Sequence, residues 1–211
     1  FTGRGGFSFS ILDFILLNLS NIIVKMFINK KKYFFIIESI KDIDLKNIKN
    51  FGKFTIIYRN NSAENIEKLK KYRLECKIKK IPFYIANNIY LVNLLKADGL
   101  YISAFNKKFY KICNFKVIGA AHNIKEIYLK KLQGCSEIIF SRLFKTSYKN
   151  KKDFLGVVKF NLITRIINMS LIPLGGINFE NFKSLQNVNC RGVALSSFIK
   201  EKPNIVQKVL K

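Results

Sequence analysis

Eight short runs of apolar, mostly β-branched or aromatic residues recur along the chain from Lys32 onward: KYFFIIE, FTIIYR, PFYIAN, GLYIS, KVIGAA, EIIFS, LIPLGG and GVALSS. Each is continuously apolar, as strands buried on both faces are. Polar stretches of helical period separate them, among them residues 62–80, 123–134 and 179–187. Strand followed by helix is the pattern of parallel βα units, and about eight of them in 211 residues fit a single-domain (β/α)8 barrel, the TIM barrel of the α/β class. An open flavodoxin-like sheet is the structural alternative. Its dinucleotide-binding form needs a GxGxxG turn after the first strand, whereas the segment there reads SIKDID, without glycine.

Composition narrows the partners. A net charge of +25 favours anionic ligands. Lysine is spread through the whole chain and far outnumbers arginine, so the expectation is a solvated lysine coat on a small-molecule binder, with no nucleic acid and no membrane as partner. Cys76, Cys113, Cys135 and Cys190 are widely spaced without a CxxC pair, and His122 is the only histidine. That excludes zinc sites needing two imidazoles and predicts reduced, mostly buried thiols.

The apolar stretch ILDFILLNLSNIIV is interrupted by Asp13, Asn18 and Asn21 and is shorter than the roughly 20 residues a membrane span requires. No small-x-small cleavage site follows it. It reads as an N-terminal extension, 1–25, upstream of a start at Met26, with the barrel over 26–211 and a cytoplasmic location.

In such a barrel the chemistry sits at the C-terminal ends of the strands, and phosphate is often held after strands seven and eight. Gly175 and Gly176 follow LIPL, and Ser196 and Ser197 follow GVAL. Glycine lets backbone N–H groups approach a phosphate and serine adds hydroxyl donors, so these four form a candidate phosphate cup. Tight turns with serine caps give the same residues, and the two readings are compatible.

Several of these segments together resemble thiamine phosphate synthase and its relative thiazole tautomerase. PLGGIN (173–178), RGVALSSFI (191–199), ADGLYIS (97–103), IGAAHN (118–123) and SEIIFSRLFKTSYK (136–149) match the family's strand ends in order. The resemblance runs from about Lys32 to the end of the chain. It implies a transferase of thiamine biosynthesis that joins a pyrimidine diphosphate to a thiazole phosphate and releases pyrophosphate. Phosphorylated pyrimidine and thiazole small molecules are then its partners, with the choice between monomer and homo-oligomer left open.

The same resemblance implies roles for residues. Arg59 matches an arginine that grips the diphosphate, and Asn87 an asparagine at the end of strand three. Thr146 and Lys149 match residues used on the pyrophosphate, and Gly176 and Ser197 match the thiazole-phosphate cup. There are departures too. Ile57 and Asn61 replace the polar neighbours of Arg59, and Ala120 replaces the serine before His122. Asn88 and Asn106 stand where the family holds Mg2+ with carboxylates. Neutral amides are poor replacements on a hard dication, so no residue is assigned to metal; the run 149–153 reads either as a solvated loop or as Lys149, Lys151 or Lys152 folding over a diphosphate beside Arg142 and partly offsetting the missing charge.

Two further readings follow. A metal-independent thiazole tautomerase would use His122, whose imidazole exchanges a proton near neutral pH. A non-catalytic phosphate-ligand binder would keep the cup without turnover. Asp98 reads as a turn cap and not as an acid, and Asp153 and Glu180 as surface or helix-start residues.

Overall fold

The computed structural model describes residues 31–47, 51–59, 64–110, 115–146, 153–178 and 180–197. The 1–25 extension, Met26, Asn61, Lys149, Lys151 and Lys152 lie outside the described residues.

Eight strands are present: β1 (Lys32–Ile37), β2 (Phe54–Tyr58), β3 (Phe83–Ala86), β4 (Gly99–Ile102), β5 (Lys116–Ala121), β6 (Glu137–Ser141), β7 (Ser170–Leu174) and β8 (Gly192–Leu195). They pair in parallel in the order β7-β6-β5-β4-β3-β2-β1-β8. Because β8 returns to β1 and comes to lie beside β7, the sheet curls into a nearly closed barrel. Most of the runs read from sequence extend a residue or two past the ladder. Arg59, Asn87, Ser103, Gly175 and Ser196 therefore fall just beyond their strands, at the barrel mouth.

Four α-helices lie among the described residues: α1 (Ile66–Ile78), α2 (Ile89–Leu94), α3 (Ile124–Leu132) and α4 (Gly156–Ile166). Asparagine starts three of them. The side chains of Asn65, Asn88 and Asn123 accept from the backbone N–H of Glu67, Leu91 and Glu126, each cap contributing about 1 kcal/mol. The cap at Asn65 explains why the helix expected from residue 62 begins later. The helix expected over 179–187 is instead a short 3-10 segment, Phe182–Asn187. Just before it, Asn178 and Asn181 accept from each other's backbone N–H at 3.1 and 2.9 Å, a local arrangement that competes with regular helix. Of the two readings of Asp153 and Glu180, surface or helix start, the surface one holds: both are exposed, and the residues before α4 and the 3-10 segment are Leu155 and Asn181.

Alternation along the strands divides the apolar core in two. Phe34, Ile36, Ile57, Tyr84, Ala86, Tyr101, Ile118, Ala120, Ile139, Ile172 and Ala194 fill the barrel. Tyr33, Phe35, Phe54, Tyr58, Phe83 and Phe140 point outward into the layer beneath the helices. There Phe35 stacks on Phe54 at 5.4 Å, and Phe140 meets Phe160 of α4 at 6.2 Å. Burying each such ring contributes roughly 1.5–3 kcal/mol. The alternation also sets which side chains emerge at the mouth. Continuing the inward register past the strand ends gives Arg59 after Ile57, Ser103 after Tyr101, His122 after Ala120, Ser141 after Ile139 and Ser196 after Ala194.

Asp98 has a structural task. It accepts from Phe83 N–H at 2.7 Å and pairs at 3.0 Å with buried Arg73 of α1, which also donates to Lys96 O. Among the described cysteines, Cys76 and Cys135 are buried and free, and burial pushes both thiols up to about 12. Only the thiolate alkylates. Iodoacetamide at pH 8 is therefore expected to leave both unmodified in the native protein and to label them as the chain unfolds, as peptide mass spectrometry will show. No helix of the described residues is long and apolar enough to cross a membrane.

Candidate active site

A cleft of about 200 Å³ opens at the C-terminal ends of the strands, lined by Arg59, Ser141, Arg142, Thr146, Leu174, Gly175, Ile177, Ala194, Leu195, Ser196 and Ser197. Six residues singled out from sequence come together here: Arg59, Arg142, Thr146, Gly175, Ser196 and Ser197. Ser141 was not foreseen; its signal is its inward register at the end of β6. Gly176, His122, Asn87 and Asn88 are not in the lining.

Arg59 leaves β2 in the inward register, its backbone N–H bonded to Ile37 O at 2.8 Å. Its guanidinium pairs with the Glu38 carboxylate, and both side chains stay well exposed, 44% and 40%. Its charge reaches into the barrel. Burial pushes the Tyr101 hydroxyl up to about 12, and Arg59 pulls it the other way. Arg142, just after β6, lies against Gly175, where an added Cβ would meet its Cγ at 3.0 Å, and its guanidinium stands 3.5 Å from Thr146 Oγ1.

Gly176 has a task of its own. At φ +68°, a Cβ there would collide with the backbone oxygens of Phe144, at 2.5 Å, and Lys145. With Phe144 N–H on Gly175 O at 3.0 Å and Leu143 N–H on Leu174 O at 2.9 Å, the missing Cβ lets the loop after β6 lie on the turn after β7. That contact brings Thr146 to Gly175. His122, the residue after β5, is exposed, its Nδ1 2.8 Å from Ser141 Oγ and its backbone N–H on Glu126 at 2.7 Å. It thus touches the cleft through Ser141.

A second polar cluster occupies the ends of β3 and β4. Asn87 Oδ1 accepts from Ser103 N–H at 3.0 Å and from Asn106 Nδ2 at 2.9 Å, and Asn87 Nδ2 donates to Ser103 Oγ at 2.7 Å. Asn106 Nδ2 also donates to Tyr110 OH, which donates to Asn87 O. Behind it lies Lys130 of α3, fully buried, its Nζ 2.7 Å from Asn106 O and 2.9 Å from Gln133 Oε1. Gly119 on β5 makes room for it, since a Cβ there would meet the Lys130 stem at 2.9 Å. Nothing in the local sequence pattern distinguishes Lys130 from its solvated neighbours.

The profile of the thiamine monophosphate synthase family matches residues 43–199. The chain belongs to this family. Within it, the thiamine-phosphate synthase of Methanococcus vannielii is 26% identical over 147 residues, 66% of this chain and 70% of that protein. The thiamine-phosphate synthase of Persephonella marina is 28% identical over 165 residues, 73% and 78% of the two chains. A thiamine phosphate pyrophosphorylase from Pyrococcus furiosus shares the fold at a TM-score of 0.62 and 16% identity, covering 90% of this chain and all of that one.

Synthases of this family imply magnesium at positions 88 and 106, and the residues there do not fit it. Asn88 Oδ1 caps α2 through Leu91 N–H at 2.9 Å, and Asn106 Oδ1 accepts from Lys108 N–H at 2.9 Å. Both oxygens are uncharged and already bonded, where a hard dication seeks charged oxygen ligands. Among the described residues no three of His, Cys, Asp and Glu stand close enough to hold an ion.

Proposed function

We propose that the chain is a thiamine-phosphate synthase of the cytoplasm, taking a pyrimidine-methyl diphosphate and a thiazole phosphate. The observation that carries this reading is the convergence of Arg59, Arg142, Thr146, Gly175, Ser196 and Ser197 on one cleft in a chain of this family. In the reaction the bond between the pyrimidine methyl carbon and the diphosphate oxygen breaks, and pyrophosphate leaves with both electrons. The thiazole nitrogen lone pair then forms the new carbon–nitrogen bond, so no oxidant is needed.

The demand on the protein is to neutralise the departing pyrophosphate and to hold the thiazole in line. Arg59, Arg142 and Lys149 answer the first, with Thr146 as a further donor. Gly175, Gly176, Ser196 and Ser197 answer the second, holding the thiazole phosphate by N–H and hydroxyl groups. Asn87 and Asn88, just after β3, are further substrate- or phosphate-binding residues. His122 acts through Ser141 as a positioning residue, because forming this bond draws no proton from it.

The test is turnover of the full chain with both substrates, following thiamine phosphate by fluorescence after oxidation. Product is expected; none under any condition would refute the reading. His122→Ala is expected to slow turnover less than about tenfold, whereas loss of a general acid or base typically costs about 10²–10⁴-fold.

A further inference from the structure

We propose that this chain grips its diphosphate without a divalent cation, the amide wall of Asn87, Ser103 and Asn106 standing in the metal's place with Lys130 as the residue that positions it. The inference rests on the reading of the cleft as a diphosphate site.

Three features of the wall carry it. Its oxygens are uncharged and already bonded: Asn87 Oδ1 accepts from both Ser103 N–H and Asn106 Nδ2, and Asn88 and Asn106 each accept one backbone N–H. Its donors are partly uncommitted: Asn87 Nδ2 has a second N–H beyond its bond to Ser103, and the Ser103 hydroxyl accepts that bond while its own hydrogen can turn to an anion. The wall is also held from inside by a lysine. Lys130 Nζ bonds the carbonyl of Asn106, and Gln133 Nε2 bonds that carbonyl at 3.1 Å and Lys108 O at 2.8 Å, fixing the turn that carries Asn106.

The Lys130 amine thus already lies against the backbone of Asn106, one of the two residues at which the family would place a dication. Arg59 and Arg142, which line the cleft, provide the charge for the ligand. Gly119 shows that the barrel wall accommodates this lysine, its absent side chain being filled by the Lys130 stem.

The experiment is calorimetric titration of the full chain with inorganic pyrophosphate, in chelator and in Mg2+, compared at equal uncomplexed pyrophosphate. The dissociation constants are expected to agree within about threefold. A tenfold or greater tightening by Mg2+, or no binding in chelator, would overturn the proposal. Lys130→Met is expected to weaken pyrophosphate at least about tenfold and leave thiazole phosphate unchanged; equal weakening of both would mark a merely structural role. Should Lys130→Met not fold, Gln133→Leu reads the same wall, with a smaller loss expected for pyrophosphate alone and an unselective loss counting against the proposal. Absence of turnover with chelator-insensitive pyrophosphate binding sinks the synthase reading alone, while turnover that stops in chelator sinks this inference alone.

Discussion

Arg59→Ala is expected to lower kcat/KM for thiamine phosphate formation by about 10²–10³-fold, the usual cost of removing one preorganised donor from a developing anion. The present partner of Arg59 does not prevent this role. Its pair with Glu38 is exposed on both sides, and exposed pairs are worth only about 0.2–1 kcal/mol. A diphosphate, with more charge and a geometry suited to a guanidinium, can displace the carboxylate. The substitution also removes the Arg59 partner from Glu38. Glu38→Gln is the matching control and is expected to change kcat/KM by less than about fivefold, since it releases the arginine without removing it. Steady-state kinetics on the three proteins decide the matter. If Arg59→Ala stays within tenfold of the parent, Arg59 does not hold the leaving group.

Why some of this could be read from sequence and some could not follows from how each feature is encoded. A strand buried on both faces writes itself as an uninterrupted apolar run, so KVIGAA and EIIFS coincide with β5 and β6 residue for residue. Ser196 was legible because it directly follows GVAL at a strand end, and Arg59 through the resemblance to the family's arginine after strand two. Helix starts were less so: the onset at Asn65 is set by one side-chain bond, and the turn before Phe182 by two asparagines that bond each other. Ser141 drew no notice because its partner His122 lies on the neighbouring strand, 19 positions away in sequence. Lys130 was invisible for the same kind of reason, as its burial depends on Gly119 and on the carbonyl of Asn106, 24 positions distant.

Gly176→Ala is expected to cost about 2–4 kcal/mol, combining left-handed strain with a forced shift of packed backbone. For a chain of this size that lowers Tm by roughly 5–15 °C. Two other glycines separate the contributions. Gly156 has the same φ of +68° with nothing within 4 Å of an added Cβ, so Gly156→Ala reads the strain alone, about 1 kcal/mol. Gly52 has open space and no positive φ, so Gly52→Ala is expected to stay within about 0.5 kcal/mol of the parent. The excess of Gly176→Ala over Gly156→Ala then measures how tightly the loop after β6 lies on the turn after β7. Since that contact brings Thr146 to Gly175, the same variant should lose affinity for thiazole phosphate along with stability. A Gly176→Ala protein no less stable than Gly156→Ala would mean that the Phe144–Lys145 backbone yields freely, and that the cleft is not held in shape by this turn.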